Sequence, residues 1–242
     1  MNKINCFVPF SGAAQAEKTV KGLQETGLVN NIYLLALPDV TENLPGCSTL
    51  HMQSIQSSAA IRDIAGHSDA EYTLIYTLEL GLFALERMIH IAEDSGAGMV
   101  YADRYQVKEG KQTNAPVIDY QFGSLRDDFD FGSVLLFRTD AFKEAAARMN
   151  EDKYKFAGLY DLRLKVSQNE SLVHINEYLY SEIEDDTRKS GEKIFDYVDP
   201  RNRDRQIEME QACTEHLKEI GGYLAPEFKQ IEFSAGNFEY EA

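Results

Sequence analysis

The sequence has few of the features that would place it outside the cell or in a membrane. It carries three cysteines, Cys6, Cys47 and Cys213, an odd number, widely spaced and without a CxxC pair. That argues against a disulfide framework and suits a reducing compartment. No apolar run approaches the roughly 18 residues of a membrane-spanning helix. The opening stretch MNKINCFVP has too short an apolar run before Pro9 to be a signal peptide. These absences predict a cytoplasmic chain with no transmembrane segment. Positive charge is also scarce: 24 Lys and Arg face 40 Asp and Glu, a formal charge of −16. Such a surface repels polyanions, which argues against a nucleic-acid partner or an anionic membrane. The five histidines are scattered and show no metal-ligand spacing. No glycine-rich phosphate loop of the GxGxxG or GxxxxGK(S/T) kind occurs, which weakens a Rossmann-like or nucleotidyltransferase reading.

What is present is a globular composition. The 242 residues are 43% apolar and include 13 Tyr and 13 Phe, enough for one large domain, or a domain and a tail. No repeat or low-complexity tract stands out. The first half alternates short strands with helical patterns. Ile4 to Phe10 reads as a strand, and Ser11-Gly12 opens a helix with Ala13, Ala16, Val20 and Leu23 on one face, stopped at Gly27. Residues 31–37 (NIYLLAL) form a nearly all-apolar strand, as expected for burial on both sides. A short strand at 49–52 precedes a helix capped by Ser57-Ser58. Residues 71–77 form a third main strand. A helix with Leu82, Leu85, Ile89 and Ala92 on one face ends at Ser95-Gly96, and 98–101 is a fourth main strand.

The second half is less regular. Residues 108–130 read as loop and 132–138 as a strand. Thr139-Asp140 caps a helix to Met149, residues 160–166 form a short helix, and 172–180 a strand. The acidic run at Glu182, Glu184, Asp185 and Asp186 reads as a solvated loop, and His174 as a half-buried strand residue. A last helix spans 203–220. Strands separated by helices of this length predict a largely parallel sheet covered on both faces. Ligands on such sheets bind at the carboxyl ends of the strands. That rule singles out Phe10-Ser11, Ala36 to Asp39, Thr77 to Glu79, and Tyr101 to Asp103.

Three stretches carry a family resemblance: residues 5–12 (NCFVPFSG), 70–105 (AEYTLIYTLELGLFALERMIHIAEDSGAGMVYADRY) and 131–164 (FGSVLLFRTDAFKEA through YDLRL). In order and content they resemble the family 2 glycosyltransferases over roughly residues 1–180. The resemblance implies a three-layer α/β/α GT-A (nucleotide-diphospho-sugar transferase-like) fold with a mostly parallel central sheet. It implies transfer of a sugar from a nucleotide diphosphate sugar to a hydroxyl of a carbohydrate or glycoconjugate acceptor, with Mg²⁺ or Mn²⁺. It also divides the chain into a GT-A domain at 1–225 and a lead-in at 226–242 to a further domain of a longer protein.

The departures from the family pattern are specific. Where the family carries its base-holding Asp stands Ala36, with Asp39 slightly later. The Asp-x-Asp metal motif falls on Thr77-Leu78-Glu79, and the Glu-Asp general-base motif falls near Gly158-Leu159, with Asp161 the nearest carboxylate. The resemblance thus implies Phe10, Asp39, Arg62 and Asp103 as nucleotide-sugar contacts, Glu79 and Asp103 as metal ligands, and Asp161 as the catalytic base. Each has a plainer alternative. Asp103 reads equally as a turn residue after a strand, and Arg62 as a helix-surface cation paired with a nearby acid. Glu79 also suits the N-terminus of the next helix, and Asp161 a helix flank paired with Arg163 or Lys165. The worn motifs leave two readings open: a transferase with weak or no turnover on its own, or a non-catalytic domain of the same fold that supports a downstream catalytic one.

Overall fold

The computed structural model describes residues 3–10, 12–41, 44–76, 79–81, 83–123, 125–126, 129–149, 153–183 and 203–228. Their order is β1 (Ile4–Pro9), α1 (Ala13–Glu25), β2 (Val29–Ala36), β3 (Ser48–His51), α2 (Ser58–His67), β4 (Tyr72–Tyr76), β5 (Glu79–Leu80), α3 (Ala84–Ser95), β6 (Met99–Lys108), β7 (Lys111–Ala115), β8 (Val134–Arg138), α4 (Thr139–Ala147), α5 (Gly158–Asn169), β9 (Leu172–Ile183) and α6 (Arg203–Glu219). Among the described residues no helix is long and apolar enough to cross a membrane.

Among the described residues one sheet holds all the strands in the order β3-β2-β1-β4-β8-β6-β9-β5, with β7 paired to β6. Strands β1, β2, β3, β4, β6 and β9 run one way, and β5, β7 and β8 run against them. The sheet is mostly parallel, as the βα alternation predicts, and the four main strands share it. The apolar character of β2 has the expected cause: Ile32, Leu34, Leu35 and Ala36 are buried beneath helices.

Helices cover both faces because their apolar residues recur at helical spacing. On one face α1 presents Ala16, Val20 and Leu23, and α3 presents Leu85, Met88, Ile89 and Ala92. On the other face α2, α4 and α5 contribute Ile61, Ile64, Phe142, Ala145, Leu162 and Val166. Helix α6 adds an outer layer, packing Met209 and Ala212 on Tyr154, Ala157, Tyr160 and Leu164. Local signals act where the sequence puts them. Ser57 Oγ accepts the Ala60 N–H at 3.1 Å and caps α2, and Gly96 closes α3 in the left-handed region at φ 66°.

Three expectations change. Residues 108–130 are not all loop: β6 continues to Lys108 and turns through Glu109 and Gly110, at φ 51° and 76°, into β7. Two successive positive φ values give the primed turn that matches strand twist, so a two-residue hairpin forms. Glu182 is not in a solvated loop: it lies on β9, with an oxygen 2.6 Å from Arg104 Nε. Glu79 starts no helix: its backbone pairs with Ser181 as β5. The rest of the acidic run, Glu184 to Asp186, and residues 229–242 of the lead-in lie outside the described residues.

Candidate functional site

The carboxyl ends of β1, β2, β4 and β6 meet one edge of the sheet, because all four strands run the same way. A buried polar group grows out of the middle of β6: contrary to the sequence-based expectation, Tyr101 and Asp103 do not end the strand, because pairing carries β6 on to Lys108. Strand alternation puts Tyr101 and Asp103 on one face, and parallel register sets His174 of β9 beside Tyr101. The two rings stack at 5.2 Å between centroids with an 18° tilt. Asp103 is 1% exposed, and its Oδ1 accepts the Val117 N–H at 2.9 Å and faces His174 Nε2 at 2.8 Å. The other nitrogen of His174 lies 2.8 Å from Oδ1 of Asp119.

Tyr101 completes the arrangement. Its hydroxyl donates to the Ile118 carbonyl at 2.8 Å and accepts the Tyr120 N–H at 2.7 Å. Burial, above all, pushes this phenol far above its usual range, so it stays protonated and keeps its donor role across physiological pH. The Tyr-x-Asp motif therefore pins residues 117–120 across the face of the sheet. Beside it, Gly132 precedes β8 at φ 71°, where a Cβ would lie 1.9 Å from the Tyr180 hydroxyl; that hydroxyl accepts the Ser133 N–H at 2.9 Å. Only glycine fits both the backbone and the space.

The other proposed site residues lie apart from this group. Phe10 packs its ring on the α1–α3 side of the sheet, whereas Asp103 shares the α2–α4–α5 side with Tyr101. Asp39 is exposed in the turn after β2. Arg62, on α2, donates from Nη1 to the Met149 carbonyl at 3.0 Å, just past the end of α4. Thr77 and Leu78, and the side chain of Glu79, lie outside the described residues.

Asp161 sits in the first turn of α5, 3% exposed, with Lys165 Nζ at 3.4 Å. Lys165 reaches on to Glu219 of α6 at 3.1 Å, and Gln168 joins Glu219 at 2.7 Å and His216 at 3.1 Å. Helix α6 thus roofs Asp161 with a polar network. Burial raises the Asp161 carboxyl above the usual range, outweighing the attraction of Lys165. Among the described residues no group of three His, Cys, Asp or Glu side chains is placed to hold a metal ion; the side chain of Glu79, one of the two expected ligands, lies outside them.

Sequence reasoning missed the link of Tyr101 and Asp103 to His174, and that of Lys165 to α6. Alternation along β6 does put Tyr101 and Asp103 on one face. The register that brings His174 opposite Tyr101 depends on pairing across 73 positions of chain and has no local signal.

No family model and no curated protein matches the sequence. Solved structures do resemble the fold. The S. aureus TarS fragment 1–349 in complex with UDP superposes with a TM-score of 0.57 at 10% identity, over 89% of this chain and 65% of that one. Another structure of TarS 1–349 gives a TM-score of 0.51 at 11% identity, over 74% and 60%. Mannosyl-3-phosphoglycerate synthase from Rubrobacter xylanophilus gives 0.57 at 10% identity, over 94% and 78%. The chain thus spans under two thirds of the TarS fragment. Likeness at this identity establishes the fold, and the fold is the GT-A type.

Proposed function

We propose that this chain is a glycosyltransferase-type domain that binds a nucleotide diphosphate sugar at the carboxyl edge of β1, β2, β4 and β6, and that its own sugar transfer is weak or absent. The observation that carries the binding half is the sheet itself. Four strands of one direction end at one edge of the sheet, and ligands of such sheets sit beyond those ends. The UDP complex of TarS, a structure of the same fold, supports the choice of ligand class. In this reading Phe10 and Asp39 lie on the nucleotide side of the edge, Asp103 holds its floor, and Arg62 and Glu79 flank it.

The transfer half of the proposal rests on Asp161. A general base must reach the proton that it removes. Asp161 is instead roofed by α6 and paired with Lys165. The carboxylate of Asp103 is similarly engaged by Val117 and His174. These contacts favour the reading of a domain that holds a donor for chemistry completed elsewhere.

The test is calorimetric titration with UDP-, GDP- and dTDP-sugars, with and without Mn²⁺, beside an assay for release of nucleoside diphosphate. Saturable donor binding with slow or undetectable turnover is expected. Loss of one electrostatic contact at a transition state typically costs about 10²–10³ in rate, and several are altered here. Robust turnover that disappears in Glu79→Ala or Asp161→Ala would overturn the transfer half, and failure of all three donors to bind would overturn the binding half.

A further inference from the structure

Helix α5 carries a polar stripe, Asp161, Lys165 and Gln168, spaced by four and three along one side. Residues so placed on the outside of a helical layer ordinarily face water. Two of them do not: Asp161 is 3% exposed and Lys165 4%. The cause is α6, which lies over the stripe. Yet the seam between the two helices holds little apolar surface. The buried residues of α6 are Met209, Ala212 and His216. On its other side α5 is seated in the core through Leu162 and Val166, among Ile61, Ile64 and Phe142.

Three carboxylates of α6 hold the seam. Glu208 Oε2 accepts the N–H groups of Phe156 at 2.7 Å and Ala157 at 3.2 Å. Ala157 is the N-cap of α5 and has no capping side chain of its own, so α6 supplies the cap from outside. Glu215 pairs with Lys153 and accepts the Tyr154 hydroxyl at 3.3 Å. Glu219 pairs with Lys165 at 3.1 Å and accepts from Gln168 at 2.7 Å. Water can take over each of these links at modest cost, because one hydrogen bond is exchanged for another. No charge on α5 would be stranded either, since Asp161 keeps Lys165 at 3.4 Å within the same helix. A seam of this kind is the first in a structure to open, and the apolar seating of α5 is among the last.

We propose that α6 is a detachable cover: it lifts from α5 as a unit while the sheet stays folded, and opens Asp161 and the first turn of α5 to solvent. With the cover on, Asp161 is closed to any acceptor. With it off, the carboxylate is bared together with Tyr154 and Tyr160, on which α6 packs. What this does for sugar transfer rests on the transferase reading; the opening itself does not.

Two thiols of the full chain separate local from global opening. Cys213 is half-buried at the seam, whereas Cys6 of β1 is 0% exposed in the core. Both are labelled with N-ethylmaleimide under native conditions, and each rate is read from its own peptide by mass spectrometry. Glu219→Ala should speed labelling of Cys213 by about threefold to tenfold and leave Cys6 unchanged. Glu219 is exposed and alanine favours the helix, so this variant loses a tether and not helix. It should also speed amide exchange at Phe156 and Ala157, measured by NMR, although these are held by Glu208, roughly 16 Å away along α6. Glu210→Ala, exposed on the same helix, should change none of these rates. A rise at Cys213 without one at Phe156 and Ala157 would mean fraying of one end and would overturn the proposal. So would equal rises at Cys213 and Cys6, which mean global unfolding, or a Cys213 rate that Glu219→Ala leaves unchanged. None of these measurements involves a donor. Failure of UDP-sugars to bind therefore leaves the cover standing, and a fixed α6 leaves the donor site standing.

Discussion

Gly158 is where α5 meets α2, and its replacement by alanine tests the packing of the helical layer that carries Asp161 and Arg62. A Cβ at this position would lie 2.4 Å from the Ser57 carbonyl carbon, 2.5 Å from the Ser58 nitrogen and 2.6 Å from the Ser57 oxygen. All three are backbone atoms, so no rotamer change relieves the overlap. Ordinary contact needs about 3.5 Å, and one helix must therefore move by roughly 1 Å. The movement strains two hydrogen bonds that join the helix starts, Gly158 N–H to the Gln56 carbonyl at 2.8 Å and Ser58 N–H to the Tyr154 carbonyl at 2.9 Å. Overpacking costs about 1–3 kcal/mol and a weakened hydrogen bond about 1 kcal/mol. Against this stands a helix-propensity gain for alanine of at most about 1 kcal/mol. The expected net loss is about 2–4 kcal/mol, a fall in Tm of roughly 5–12 °C for a domain of this size. Urea denaturation should show a lower midpoint with an unchanged slope. Gly66→Ala is the control: it lies in α2 with nothing within 4 Å of the new Cβ, and should stabilise by about 0.5–1 kcal/mol. A Gly158→Ala variant as stable as the parent would refute the close approach of α2 and α5.

Two further perturbations probe the polar network beneath α6. Burial lowers the His216 pKa below its ordinary 6.5, so the folded state binds this proton less readily than the unfolded chain does. Its contribution is present above about pH 6.5 and lost as pH falls through the depressed value, so urea midpoints should drop between about pH 7 and pH 5. His216→Gln should flatten that drop, and an unchanged profile would reject the argument. Asp161 has the opposite sign: its raised folded pKa gives stability that is full below about pH 3.8 and lost as pH rises through the folded value. Asp161→Asn should therefore be neutral or stabilising near pH 7, with Lys165 still held by Glu219. A loss of about 3 kcal/mol or more would show that the ion pair outweighs its burial.

The fold was legible in the sequence where local rules and tertiary packing agree. The nearly all-apolar run of β2, the Ser57 cap of α2 and the Gly96 stop of α3 each specify an element by themselves. The hairpin at Glu109 and Gly110 was missed because β7, read as KQTNA, has neither apolar alternation nor a buried face to reveal it. It exists through pairing with β6 alone. The candidate site was less legible, since its residues act through partners distant in sequence. Asp103 owes its setting to His174 and Val117, and Asp161 owes its roof to α6. No spacing rule connects Asp161 to Glu219 or His216, because only the packing of Met209 and Ala212 onto α5 brings that helix there.

The way the sheet ends bears on how the protein behaves when crowded. An unpaired strand is a template for another chain, and the hazard grows with its length and apolar content. Among the described residues the outermost strands are β3 and β5, of four and two residues, and β7, which runs beside β6 where β8 has ended. Lys111 to Asn114 of β7 are exposed and polar, and Lys108 faces Lys111 at the hairpin tip. A second molecule that tried to extend the sheet there would meet paired lysines and side chains with no dry surface to offer. Among the described residues, the hairpin that local pattern conceals thus guards this margin of the sheet against pairing with a second chain.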